Sequence, residues 1–130
     1  MPSVLIVDDD KAVRDAFARV LKHAGMDVTA VENGVLGLRE LGQREFDAVV
    51  CDYKMPELGG EGFFEQLEEL FPEVTRRVVF VTAYADDPKI RGFLDQTGQV
   101  VLAKPVDTGV LVGEVQALIA KGRKRPSMPG

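Results

Sequence analysis

Three apolar stretches of this chain end in groups that could do chemistry together. Val4-Leu5-Ile6-Val7 runs into Asp8-Asp9-Asp10, Ala48-Val49-Val50-Cys51 runs into Asp52, and a later run ends at Lys104-Pro105. A buried strand that stops at a carboxylate puts charge at the carboxyl edge of a sheet, where open α/β folds bind ligands. Carboxylates converging on one edge repel each other unless a cation sits among them. Asp8 and Asp9 fit such a cation as magnesium, which accepts one or two carboxylates and keeps several waters. Asp52 fits a nucleophile toward phosphorus, forming an aspartyl phosphate. That chemistry needs a divalent cation, with cationic and hydroxyl groups around the equatorial oxygens. Thr82, after Val78-Val79-Phe80-Val81, could offer the hydroxyl, and Lys104 the point charge. Each residue has a blander reading: a solvated loop carboxylate for Asp52, helix-capping groups for Asp8–Asp10, a core threonine, a solvated lysine. The combination favours the chemistry, because four strand ends each supply a different piece of one phosphoryl-transfer site.

The elements that must position these groups alternate apolar β-type runs with helix-period segments five times, the pattern of a parallel α/β sheet. Strands are expected over about residues 3–7, 26–31, 46–51, 77–81 and 100–102. The first helix, about 11–24, has Asp10 as N-cap, Gly25 past its end, and Val13, Phe17, Val20, Leu21 and Ala24 on one face. Asn33 caps a second helix, with Val35, Leu38 and Leu41 inward. A third helix, about 61–70, buries Phe63 or Phe64, Leu67 and Leu70 and stops at Pro72. Between strand three and that helix, Met55-Pro56 and Gly59-Gly60 turn the chain sharply. Asp87-Pro88 opens a fourth helix that ends near Gly98, and Asp107 caps a last helix bearing Leu111, Val115, Leu118 and Ile119. Continuous apolar strands imply burial on both sheet faces, hence helices on each side.

The 130 residues suit one domain, and the 45% hydrophobic and 28% charged content is that of a globular protein. A net charge of −5 argues against direct nucleic-acid binding, which needs a concentrated basic face. One cysteine rules out an internal disulfide and a multi-cysteine metal cage. No apolar run is long enough for a membrane span, and the N-terminus lacks a secretory pattern, so the expected location is the cytoplasm. Residues 1–121 are expected to form the domain, and 122–130 a basic, then Pro/Gly-rich, disordered tail or linker.

These residues resemble the receiver domain of two-component response regulators over about residues 3–120. The resemblance rests on I-V-D-D-D, on D-Y-K-M-P-E-L-G-G from Asp52 to Gly60, on V-T-A at Val81–Ala83 and on L-A-K-P at Leu102–Pro105. It implies a flavodoxin-like (βα)5 fold, with a five-stranded parallel sheet in order 2-1-3-4-5, helices on both faces, and the site at the switch point between strands 1 and 3. It implies Asp52 as phosphoacceptor, and Asp8, Asp9, Asp52 and the Lys54 backbone carbonyl as Mg2+ ligands. Thr82, the Ala83 amide and Lys104 would bind the phosphoryl group, and the Lys104-Pro105 bond would be cis. The implied donor is a phosphohistidine on a histidine kinase or histidine phosphotransfer protein. The implied role is signal switching or relay rather than enzymatic turnover, and a homodimer through helix 4, strand 5 and helix 5 is a further possibility. The stretch from Asp87 to Pro105 looks most like receivers fused to hybrid histidine kinases.

The chain departs from the pattern at Val101, where the family usually has a Tyr or Phe whose rotation is coupled to the threonine hydroxyl. Lys54 and Tyr84, two residues past Asp52 and Thr82, could shield an acyl phosphate from water and slow its hydrolysis. Cys51 should point to the opposite sheet face from Asp52 and be a small core residue. His23 should favour the end of the first helix rather than donate phosphate. Gly122–Arg125 reads as a linker, and the run Val110-Leu111-Val112 must expose at least one apolar residue. Two other classes compete: a haloacid-dehalogenase-type phosphohydrolase using Asp8, for which Asp8-x-Asp10, Thr82 and Lys104 imitate three elements, and a receiver-like interaction module that never uses phosphate.

Overall fold

The computed structural model describes residues 1–53 and 58–123. In chain order the elements are β1 (Ser3–Val7), α1 (Lys11–His23), β2 (Asp27–Val31), α2 (Gly34–Gln43), β3 (Ala48–Asp52), α3 (Gly60–Leu70), a 3-10 turn (Pro72–Arg76), β4 (Val78–Thr82), α4 (Pro88–Thr97), β5 (Val100–Ala103) and α5 (Thr108–Arg123). The strands form one parallel sheet in the order β2-β1-β3-β4-β5, as the family resemblance implies.

Alternation along each strand divides the core in two. Leu5, Val7, Val49, Cys51, Val78 and Phe80 face the side covered by α2, α3 and α4, where Leu41, Phe63, Phe64, Leu67 and Leu94 meet them. Val4, Ile6, Ala48, Val50, Val79 and Val81 face α1 and α5, packing on Phe17, Leu21, Leu111, Val115 and Ile119. Residues 78–82 are buried throughout, which requires helices on both faces and explains why this strand shows no polar alternation.

Capping follows the sequence closely. Asp10 accepts from the Ala12 and Val13 amides at the start of α1, Asn33 from Leu36 at α2, Asp87 from Lys89 and Ile90 at α4, and Asp107 from Gly109 and Val110 at α5. Gly98 ends α4 at φ 69°, a left-handed conformation that glycine adopts without a Cβ penalty.

Three residues expected to face inward are on the surface, the first of them Ala24, which lies past the last turn of α1 as its C-cap. Val35 is 47% exposed because the inward stripe of α2 runs through Gly34, Gly37, Leu38 and Leu41, one position off. A Cβ on Gly37 would lie 3.0 Å from Phe63 and 3.1 Å from Val7, so glycine lets α2 pack close to the sheet. Leu70 is 55% exposed, and buried Val74 from the 3-10 turn closes the core there instead. Both Phe63 and Phe64 are buried, and Val110 is the exposed member of its run. No helix among the described residues is long and apolar enough to cross a membrane.

Candidate functional site

The strand order reverses between β1 and β3, which lie side by side with Val7 opposite Cys51. The residues that follow, Asp8 and Asp52, are therefore neighbours at the carboxyl edge. Asp52 lies opposite Val81 on β4, and Thr82 opposite Ala103 on β5, so Thr82 and Lys104 reach the same edge. Three backbone bonds extend the ladder into the site: Asp8 N–H to Val31 O (3.1 Å), Tyr53 N–H to Val81 O (3.0 Å) and Lys104 N–H to Thr82 O (2.8 Å). These bonds hold the backbone of the site to the rigid sheet rather than to a free loop.

Carboxylate oxygens of Asp8, Asp9 and Asp52 all lie within 4.8 Å of one another. Asp8 and Asp52 are buried, at 1% and 6% exposure, while Asp9 faces solvent. Lys104 sends its ammonium between the two buried carboxylates, 3.3 Å from Asp8 Oδ2 and 3.4 Å from Asp52 Oδ2. Burial, followed by the charge of Asp8, pushes Asp52 up to about 7, against the opposing pull of Lys104. Asp8 is also raised, again chiefly by burial. Burial acts to lower Lys104, but the charges of Asp52 and Asp8 outweigh it and hold the ammonium above its ordinary value. One ammonium thus serves two buried carboxylates with a third nearby, an excess of negative charge that a small hard cation would neutralise. The all-oxygen donor set suits magnesium.

Thr82 is buried, and its hydroxyl oxygen accepts from the Tyr84 amide at 2.9 Å. That bond occupies one lone pair and leaves the hydroxyl proton to donate elsewhere. Ala83 is exposed beside it, Tyr84 is 43% exposed, and the Lys104-Pro105 peptide is cis. Lys54 lies outside the described residues, as do Met55-Pro56 and, in the tail, Lys124 and Arg125. Asp10, engaged as the N-cap of α1, is not in the carboxylate cluster, so the Asp8-x-Asp10 pair of the hydrolase reading is not assembled. Cys51 is fully buried among the α2–α4 core residues, and burial, then the charges of Asp52 and Asp8, push its thiol up. His23 sits in the last turn of α1, as expected.

The structure adds residues that the sequence reading did not single out. Arg14 of α1 donates to the backbone carbonyl of Asp8 at 2.8 Å. Gly60, the first residue of α3, donates to the Tyr53 carbonyl at 2.6 Å, and a Cβ there would lie 2.8 Å from Tyr53 Cα. The Tyr53 ring lies 5.9 Å from that of Phe93 on α4, and its hydroxyl donates to Glu61 at 3.1 Å. A lone arginine one turn into a helix carries no motif signal. The Gly59-Gly60 pair did signal a turn, though not the close approach to the backbone behind Asp52.

Residues 4–116 match the family model described as the response regulator receiver domain. A response regulatory protein of Vibrio cholerae is 35% identical over 99% of the chain and 53% of its own length. The sensor kinase CckA of Brucella abortus is 33% identical over 92% of the chain and 13% of its length. The chain spans about half the length of the first curated relatives it matches (53% and 43%). A receiver domain protein from Methanospirillum hungatei superposes with a TM-score of 0.88 at 25% identity, covering 97% of this chain and 99% of its own. The receiver domain of a Syntrophus aciditrophicus signal transduction histidine kinase does so with a TM-score of 0.85, also at 25% identity, covering 100% and 98%.

Proposed function

Because this chain belongs to the response regulator receiver family, a family of signalling domains rather than turnover enzymes, we propose that it accepts a phosphoryl group on Asp52 and thereby switches or relays a two-component signal. The observation that carries the reading is the buried Asp8–Lys104–Asp52 arrangement at the β1/β3 switch point, with Asp9 and Thr82 beside it.

In this reading the donor is a phosphohistidine of a histidine kinase or phosphotransfer protein. An Asp52 carboxylate oxygen forms a bond to phosphorus as the phosphorus–nitrogen bond breaks, and the bonding pair returns to the imidazole. Lys104, already at Asp52, turns its ammonium to the phosphoryl oxygens. The Thr82 hydroxyl donates its remaining proton to one of them, and the Ala83 amide to another. Mg2+ held by Asp8, Asp9, Asp52 and the Lys54 carbonyl would supply charge compensation between the carboxylates and the phosphoryl oxygens. An apolar groove lined by Ala12, Ala16, Phe17, Pro105 and Val106 opens beside Lys104, a surface on which a donor protein could pack while its histidine reaches Asp52.

Incubation with Mg2+ and acetyl phosphate, followed by intact-protein mass measurement, tests the assignment. The expected product carries one phosphoryl group, and Asp52→Asn carries none. A label on Asp8 would transfer the reading to a hydrolase, and no adduct together with no beryllofluoride binding would leave an interaction module.

A further inference from the structure

We infer that Arg14 is a positioning residue for the cation site: it holds the main chain of Asp8 in place so that Asp8 keeps its aim once its carboxylate is given to a metal. This rests on the reading of Asp8 and Asp9 as magnesium ligands.

The first indication is a conflict between sequence and local physics. A helix N-terminus favours anions and disfavours cations. The first turn of α1 nevertheless contains no acidic residue, and Lys11 and Arg14 lie at its start. Lys11 is offset by Asp15, four residues on at 2.7 Å, in an exposed pair. Arg14 has a different partner. It is half-buried, and its guanidinium turns back past the helix N-terminus to donate to the Asp8 carbonyl at 2.8 Å. A residue that violates a local rule and reaches into a site marks a functional constraint.

The second indication is how Asp8 is held. Its amide donates to Val31 O at 3.1 Å, one carboxylate oxygen accepts from the Asp10 amide at 2.9 Å, and the other accepts from Lys104 at 3.3 Å. Both side-chain bonds fall on atoms that a bound cation would claim, and Lys104 in particular would have to yield. The Arg14 bond falls on the main-chain carbonyl, which the carboxylate's change of partner leaves untouched. Arg14 and the β2 ladder bond are then the anchors that persist in the loaded state. Losing Arg14 should therefore cost more with the cation present than without it.

This separates positioning from simple charge. If Arg14 acted only through its positive charge, removing it would leave the acidic cluster more negative and would tighten Mg2+ binding. Positioning predicts the opposite sign.

The test is Mg2+ titration by calorimetry on the wild-type chain, Arg14→Met and Arg14→Lys, with urea unfolding of each in EDTA and in saturating Mg2+. Arg14→Met is expected to bind Mg2+ about five- to tenfold more weakly, and to lose more stability in Mg2+ than in EDTA, as linkage requires. Arg14→Lys, whose ammonium can donate to the same carbonyl, is expected to recover most of the affinity, to within about twofold of wild type. Should Arg14→Met fail to fold, the small weakening in Arg14→Lys decides. Mg2+ binding by either variant that is tighter than wild type, or an Arg14→Met stability loss equal in both media, overturns the inference. A wild-type chain that does not bind Mg2+ at all overturns the ligand reading itself, a result distinguishable because it appears before any substitution.

Discussion

Asp52→Asn should stabilise the metal-free protein, by an amount that grows with pH. Asp52 titrates at about 7 in the folded chain rather than at 3.8, because burial and the neighbouring charge of Asp8 together outweigh Lys104. The folded state thus favours the protonated carboxyl. Its contribution to stability is fully present below about pH 4, is lost as pH rises toward about pH 7, and is constant above that. The full shift, about three pH units at ~1.4 kcal/mol each, sets an upper bound near ~4 kcal/mol. The real figure is smaller, since Lys104 contacts both carboxylates and Asp8 is raised as well, so the three groups titrate together and removing one charge relaxes the others. Half of the bound, ~2 kcal/mol, is the expected gain at alkaline pH. Asparagine keeps the shape and can still accept from Lys104, so little packing is lost.

Thermal unfolding of both proteins in EDTA, across about pH 4.5 to about pH 8.5, measures this directly. The melting difference should widen steadily up to about pH 7 and then level off, reaching roughly 6–10 °C for a domain of this size. Added Mg2+ at alkaline pH should close part of the gap, because it stabilises the chain that binds it. A difference that does not change with pH, or a variant that melts lower than wild type at the alkaline end, would refute the placement of uncompensated charge at Asp52.

The remaining expectations concern the turn and the rim of the site. Gly60→Ala should destabilise by ~2 kcal/mol and slow phosphorylation by acetyl phosphate, because the new Cβ would sit 2.8 Å from Tyr53 Cα and 2.9 Å from Tyr53 O, directly behind Asp52. Gly92→Ala, in mid-α4 with nothing within 4 Å, should instead stabilise by ~0.5–1 kcal/mol; urea midpoints that move in the same direction for both would contradict the steric account. The double variant Lys54→Ala, Tyr84→Ala should shorten the lifetime of the acyl phosphate several-fold, and an unchanged decay rate would remove these residues from any shielding role.

The strand-borne part of this site was legible because of how parallel sheets are built. A strand buried on both faces must be an unbroken apolar run, so the first polar residue after it marks the carboxyl edge; Asp8 and Asp52 are found this way, as is Thr82 at the end of its own strand, while Lys104 follows the apolar but only half-buried edge strand β5. The caps were equally legible, since Asp10, Asn33, Asp87 and Asp107 act within three residues of themselves. What stayed hidden depends on contacts made after the chain folds back. Lys104 reaches Asp8 across 96 positions, and nothing local distinguishes it from a lysine serving Asp52 alone. Arg14 looks like any helical arginine until its partner carbonyl is in view. On α2, Leu38 and Leu41 face inward as expected, but Val35 was misplaced because the rest of the inward face is glycine, chosen for close approach rather than hydrophobicity.

The departure at Val101 bears on how the site could communicate with the rest of the domain. Val101 lies opposite Phe80 in the β4–β5 ladder and packs against the same core, where Phe80, Phe64 and Tyr53 surround Phe93 of α4 at centroid distances of 6.3, 6.2 and 5.9 Å. The aromatic volume here comes from α4 and its neighbours, not from β5. A valine is stiff about χ1 and has no ring to swing between buried and exposed positions. Thr82, meanwhile, is tied through its hydroxyl oxygen to the Tyr84 amide, the Tyr84 carbonyl accepts from the Asp87 amide at 3.0 Å, and Asp87 caps α4 through Lys89 and Ile90. The Thr82 hydroxyl is thus linked by hydrogen bonds to the loop that starts α4, one and a half turns before Phe93. The contacts from Thr82 to the start of α4 therefore run through backbone and cap bonds and need no aromatic on β5.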